Sequence, residues 1–219
     1  MAPREVPPPD LSHTQRPLHE NELTELCVER AGLELPACWE ILARLNTKDV
    51  RYIKEDLKKG NILKVPNDFK AHSNFSPLPA RLPLEPNTDK FILIVKNIPF
   101  LGWYEKGRLV GDTHICIGKK SNWTRAGKFK VLAKDIDHVS KSYRSAYGYP
   151  ALMPWALRIY GHVWIHGGDV VGGYCSHGCI NLPLSAAEAL FNWADLGTKV
   201  LIVESTGDLD TALAKSDTR

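Results

Sequence analysis

No stretch of this chain is apolar over anything near the roughly 20 residues that a membrane-crossing helix requires, so no membrane span is expected. Met1 to Pro9 carry prolines and charges where an export signal would have its apolar segment. That leaves two expectations: a cytoplasmic protein, or a chain without its export signal. A start just before a Pro-rich stretch suits the second. Charge of one sign is scarce as well. The formal net charge is +3 over 219 residues, too slight to argue for nucleic acid as a partner. Regular alternation of strands with helices is missing, which argues against a doubly wound parallel sheet. Cysteines are few and odd in number: Cys27, Cys38, Cys116, Cys175 and Cys179. An odd count leaves one thiol free unless two chains are joined.

What is present is ordinary for a globular chain, with 43% hydrophobic and 24% charged residues. Residues 1–19 are polar and Pro-rich and read as a disordered arm. Leu23, Leu26, Cys27 and Ala31, then Cys38, Ile41, Leu42 and Leu45, recur at helical spacing within a small module at 20–67. Cys27 and Cys38 are close enough to be bridged, and equally compatible with two small buried residues. Residues 68–89 hold Pro77, Pro79, Pro83 and Pro86 and read as an extended linker. The main domain is expected at 90–204, with strands at Phe91–Val95, Phe100–Tyr104, Leu109–Ile117, Gly127–Leu132, Ile159–Ile165 and Val200–Val203. Ser185 and Glu188 form a capping-box pattern that predicts a helix running to about Leu196. Residues 205–219 read as a polar tail.

The chemistry concentrates in 166–181, where His166, His177, Cys175 and Cys179 stand among five glycines. A free thiol has a pKa of about 8.5, and a neighbouring imidazole can take its proton to leave a thiolate–imidazolium pair. Cys179 follows Gly178 and precedes the Asn181–Pro183 turn, where backbone N–H groups could converge on an oxyanion. His166 closes a strand-like run and is the candidate base. His177 is held too near the backbone of Cys179 for that role and is expected to shape the site. Donor types also suit a tetrahedral zinc held by Cys175, His177, Cys179 and His166, but their one-residue gaps differ from the spacing of structural zinc sites. His114, His138 and His162 read as surface or packing residues, and Cys116 as core.

The phrase His166-Gly167-Gly168, a short glycine loop, then Ser176-His177-Gly178-Cys179-Ile180-Asn181-Leu182-Pro183 resembles the signature of L,D-transpeptidase (YkuD-type) catalytic domains. Gly118 with Thr124-Arg125-Ala126-Gly127-Lys128-Phe129, Met153-Pro154-Trp155 and Gly197-Thr198-Lys199-Val200 extend the resemblance over about residues 90–204. It implies a mostly β, L,D-transpeptidase-type β-sandwich with a packed helix, with Cys179 as nucleophile and His166 as base. It also implies that the Gly167 carbonyl orients His166, that Gly178 serves the oxyanion, and that His177 sits in the site with Ser176 and Asn181 toward substrate. The implied partners are peptidoglycan stem peptides and carbapenem-type inhibitors, with no cofactor and no metal, in the periplasm or cell envelope. A hydrolase resolving the same acyl-enzyme with water is the alternative, as is a glycan-binding protein with a silent catalytic domain. The sequence departs from the family at Arg125, where proline is usual, and at Asn181, where many members have arginine. The His166–Ser176 interval is short, and Cys175 puts a second thiol within reach of the nucleophile. Leu57 to Pro66 resembles the close of a LysM glycan-binding module, which would make 20–67 a small α-rich, LysM-like unit with affinity for glycan.

Overall fold

The structure, a computed structural model, describes residues 10–144 and 147–214. They form two compact units, one ending at Phe75 and the other beginning at Ser76. Residues 1–9 of the expected arm and 215–219 of the expected tail lie outside the described residues.

In the first unit, β1 (His13–Pro17) pairs antiparallel with β2 (Ile62–Pro66), which is in register from His13↔Pro66 to Pro17↔Ile62. The expected arm therefore ends sooner, because residues 13–17 find a strand partner some fifty residues away in the sequence. Between the strands lie α1 (Glu20–Leu23), continued by a wider π-type turn to Arg30, then α2 (Leu35–Asn46) and α3 (Val50–Lys59). Leu23, Cys27, Cys38, Leu42, Ile53 and Leu57 meet Leu63 and Val65 in one core. A disulfide joins Cys27 to Cys38 across it. Asn46 caps the arrangement: its side chain donates to the Lys64 carbonyl (2.9 Å) and accepts from the Lys64 N–H (2.8 Å). A short α4 (Phe69–His72) closes the unit, with the Asp68 carboxylate accepting from the Ala71 N–H.

The second unit carries β3 (Lys90–Val95), β4 (Phe100–Glu105), β5 (Arg108–His114), β6 (Ile117–Gly118), β7 (Gly127–Lys130), β8 (Ala133–Asp135), β9 (Val139–Arg144), β10 (Pro150–Leu152), β11 (Ala156–Tyr160), β12 (Val163–Gly167), β13 (Tyr174–Ser176), β14 (Ile180–Leu182), α5 (Leu184–Trp193), β15 (Lys199–Val203) and α6 (Leu209–Ala214). It is mostly β, as the sequence predicts. One sheet runs β5-β4-β3-β15-β7, the other β14-β12-β11-β8. Ile92, Ile94, Val200 and Ile202 of the first sheet face Leu157, Ile159, Ile165 and Ile180 of the second, with Ala187 and Leu190 of α5 in the same core.

The alternate residues Phe91, Leu93, Val95, Leu201 and Val203 are buried on the other face of the first sheet. Strands covered on both sides read as continuous apolar runs, which is why β3 and β15 stand out in the sequence. What covers that second face corrects two expectations. Leu78 and Leu82, from the Pro-rich stretch read as a linker, pack there, as does Leu209 from the stretch read as a tail. Backbone bonds hold the stretch down: Leu82 N–H to the Gly107 carbonyl (2.8 Å) and Leu109 N–H to the Ala80 carbonyl (3.0 Å). The Tyr104 hydroxyl also donates to the Pro79 carbonyl (2.9 Å).

Two further differences are local. The run expected as a single strand at 159–165 is two antiparallel strands, β11 and β12, turning at Gly161, whose φ is +46°. Helix α5 starts at Leu184 with Pro183 as its N-cap and no side-chain cap, so the Ser185–Glu188 capping box does not form. It ends at Trp193, three residues short of Leu196, where the Lys134 ammonium donates to the carbonyls of Phe191 and Ala194 (both 2.6 Å). Cations at a helix C-terminus satisfy otherwise unpaired carbonyls.

Candidate active site

The site is set by a short parallel pairing. β12 and β14 lie in register Ile165↔Ile180, His166↔Asn181 and Gly167↔Leu182. Side chains alternate across a strand, and Ile165, Ile180 and Leu182 point into the core. His166 and Asn181 therefore share the opposite face, with Trp164 two residues before His166 on β12 and Cys179 in the turn just before β14. The glycine loop carries the chain back to the edge of its own strand, so that Asn181 lies beside His166, fifteen residues earlier in the sequence.

His166 is buried (6% exposed). Its Nδ1 lies 2.9 Å from the Gly167 carbonyl, an acceptor, so Nδ1 carries the proton and Nε2 is left with its lone pair. Burial pushes the imidazole pKa down from 6.5 to about 4; the Gly167 bond opposes this, and the charge of His138 adds to it. Cys179 is half-buried and is the free thiol. It donates to the His162 carbonyl (3.7 Å). Burial pushes its pKa up, and a backbone hydrogen bond from Trp164 works the other way. Both shifts favour the neutral forms, a direction that runs against the thiolate–imidazolium pair the sequence suggests.

The turn bearing Cys179 is tightly determined. Gly178 has φ +131°, and a Cβ there would lie 3.0 Å from the Trp123 carbonyl oxygen, so only glycine fits without strain. Ser176, expected toward substrate, is buried, and its hydroxyl is engaged within the turn: it accepts from the Gly178 N–H (3.0 Å) and donates to the Cys179 carbonyl (2.6 Å). The Asn181 N–H donates to the Cys116 carbonyl (2.8 Å) and its side chain to the Asp169 carbonyl (3.1 Å). Two of the N–H groups expected to converge on an oxyanion, those of Gly178 and Asn181, are thus already paired. His177 is exposed and stacks between Trp123 (5.2 Å) and Tyr143 (4.5 Å).

Cys175 is not a spare thiol beside the nucleophile. It is disulfide-bonded to Cys116, the residue read as plain core. That bond also removes Cys175 as a zinc ligand, and among the described residues no group of three or more His, Cys, Asp or Glu could hold a metal ion.

Three contributors escaped the sequence reading. The Thr124 hydroxyl accepts from the Gly118 N–H (3.0 Å) and donates to the Gly178 carbonyl (2.8 Å). His138, read as a surface or packing residue, stacks on Trp164 (4.0 Å) and is held by the Asp135 carboxylate (2.9 Å). Trp164 itself gives no local signal, because its place beside Cys179 depends on the β12–β14 register.

Residues 89–202 match the L,D-transpeptidase catalytic domain (YkuD) family. None of the curated proteins matches. Among solved structures, an L,D-transpeptidase (Yku) from Stackebrandtia nassauensis is 17% identical with a TM-score of 0.50, covering 91% of this chain and 98% of that one. The catalytic domain of the E. faecium L,D-transpeptidase, acylated by ertapenem, is 31% identical with a TM-score of 0.44, covering 52% and 97%. An L,D-transpeptidase from Mycobacterium smegmatis is 20% identical with a TM-score of 0.46, covering 52% of this chain. This chain spans only 58% of the length of that mycobacterial relative. The family match takes in β3 to β15 with the whole cysteine turn, and the chain belongs to the L,D-transpeptidase (YkuD) catalytic domain family.

Proposed function

We propose that the chain is a cysteine-dependent L,D-transpeptidase that acts on peptidoglycan stem peptides through a thioester on Cys179. The observation that supports this is the β12–β14 register, which sets His166 beside Asn181, two residues past Cys179, with the imidazole tautomer set by the Gly167 carbonyl. With both groups neutral at rest, His166 Nε2 takes the thiol proton as sulfur attacks the donor carbonyl. The same nitrogen returns the proton to the departing amine, leaving the acyl group on sulfur. An acceptor amine, the side-chain amine of a diamino-acid residue in a second stem, then resolves the thioester. Because the Gly178 and Asn181 N–H groups are engaged, the oxyanion draws on the N–H of Cys179 itself.

Incubation with purified muropeptides tests this reading, with cross-linked dimers expected by mass spectrometry. Cys179→Ala should abolish them, and His166→Ala should slow acylation by roughly 10²-fold. Trimmed monomers without dimers would replace the transferase with a hydrolase. An imipenem adduct is expected on Cys179; an adduct on any other residue would overturn the assignment.

The first unit fits a glycan-binding role: two paired strands enclose helices in a small separate core. Residues 10–75 should sediment with peptidoglycan more than residues 76–214 do, and equal or absent sedimentation removes the idea. An envelope location follows from the inferred substrate, and detection of an exported precursor would test it.

A further inference from the structure

We propose that the Cys116–Cys175 disulfide is a positioning element of the Cys179 site, so that the nucleophile's turn keeps its reactive geometry only while this bond is intact. The proposal rests on the reading of Cys179 as nucleophile and adds a residue pair to it.

One residue, Cys116, holds both ends of the turn. Its backbone exchanges two hydrogen bonds with Asn181, N–H to carbonyl at 2.9 Å and the reverse at 2.8 Å. Its side chain is bonded to Cys175. The stretch from Ser176 to Ile180, with Cys179 inside it, is thereby closed into a ring whose clasp is a single, fully buried residue.

On the entry side the disulfide stands beside two backbone bonds, Ile117 N–H to the Gly173 carbonyl (2.9 Å) and Lys119 N–H to the Ser176 carbonyl (3.0 Å). β13 has three residues, pairs with a strand of two, and its register shifts between Tyr174 and Ser176. Upstream, the Tyr174 hydroxyl holds the Lys96 carbonyl (2.9 Å), and before it run Gly172 and Gly173, which have no side chains to pack. Three-residue pairings are weak alone, and glycine segments gain the most freedom when released. The covalent bond therefore adds the one side-chain tie from Cys116 to the residue just ahead of a turn whose tolerance is set by Ser176 and Gly178. Small misplacements of reacting groups carry large rate penalties.

The bond is also accessible chemically. Cys116 is buried and Cys175 only half-buried, so a reductant meets the Cys175 sulfur first. Reduction by a phosphine in water supplies two electrons and two protons and gives two thiols, the phosphine leaving as its oxide. The product chain has a free Cys175 four residues from Cys179 and no tie from Cys116 to the turn's entry.

The test compares Cys116→Ser/Cys175→Ser with Cys27→Ser/Cys38→Ser, which removes the other disulfide. Imipenem acylation of Cys179 is followed by intact mass across drug concentrations, and folding by denaturant unfolding. The expected result is a cooperatively folded Cys116→Ser/Cys175→Ser chain whose limiting acylation rate falls by about tenfold to a hundredfold with little change in the half-saturating concentration. The Cys27→Ser/Cys38→Ser chain should acylate at the unmodified rate. Phosphine treatment of this second variant, followed by desalting, should reproduce the loss, and reoxidation should restore the rate. Lowered stability with an unchanged limiting rate would make the bond merely structural and overturn the proposal. If Cys116→Ser/Cys175→Ser does not fold, hydrogen exchange on the phosphine-treated second variant decides. Faster exchange confined to residues 176–181 supports the proposal, and unaltered exchange there overturns it. An untreated native chain that forms no adduct would defeat the nucleophile reading itself, a signature distinct from loss on reduction alone.

Discussion

The Thr124 hydroxyl donates to the Gly178 carbonyl at 2.8 Å, and that carbonyl belongs to the same peptide unit as the Cys179 N–H. A peptide bond is planar, and this one is trans, so fixing one end of the unit aims the other. Thr124 thus directs the donor proposed for the oxyanion from a buried position. It is 1% exposed and also receives the Gly118 N–H. Thr124→Val keeps the volume and removes both bonds. Unfolding in denaturant should show a loss of about 1–3 kcal/mol, the cost of leaving buried polar groups unpaired. Acylation should slow as well, while Thr124→Ser should keep most of both. Equal behaviour of the Val and Ser variants would sink the argument.

Gly178→Ala meets two obstacles at once, φ +131° and a Cβ 3.0 Å from the Trp123 carbonyl. The expected cost is about 1–3 kcal/mol. Because the distortion falls on the residue before Cys179, turnover should drop further than stability. A variant with native stability and native turnover would mean that the turn is more yielding than its geometry.

Leu78 and Leu82 are buried at 5% and 7% exposure against β3, β4 and β15. Leu78→Ala and Leu82→Ala should each destabilise the second unit by about 2–4 kcal/mol. A chain beginning at residue 90, where the sequence reading starts the domain, should express as aggregate because Phe91, Leu93 and Val95 would be bare on one face. Cooperative unfolding of such a truncated chain would refute this.

How legible this was depended on how local each signal is. β3 and β15 were readable because both faces are buried and their apolar runs are unbroken. The L,D-transpeptidase family was readable because the residues around Cys179 and His166 form one continuous phrase. The role of residues 77–88 was hidden by prolines, which mark extended chain whether or not that chain is packed. Leu78 and Leu82 are too widely spaced to reveal the sheet beneath them. The Cys116–Cys175 bond joins residues 59 apart in the sequence, and connectivity among five cysteines cannot be deduced from spacing. Trp164 and Thr124 reach the site through strand register and a cross-loop bond, neither of which has a local periodicity.

The last prediction concerns acid. The folded imidazole of His166 titrates at about 4 against 6.5 when unperturbed, chiefly because it is buried. Its neutral form therefore persists well below pH 6.5, and since burial also raises the Cys179 thiol, the proposed mechanism has His166 take a proton during attack. The acid limb of imipenem acylation should fall near pH 4–5, not in the ordinary imidazole range near 6.5. Stability moves with pH in a definite direction. Between pH 6.5 and about 4 the unfolded chain binds a proton at His166 that the folded chain does not, so unfolding becomes easier as pH falls. This contribution is intact above about pH 6.5, declines through that window, and levels below about 4, with a size on the order of 3 kcal/mol. His166→Gln cannot titrate there, so its unfolding free energy should lose less than that of the unmodified chain between pH 7 and 4.5. Two parallel stability curves, or an acylation limb centred near pH 6.5, would show that His166 is more solvated than its packing indicates.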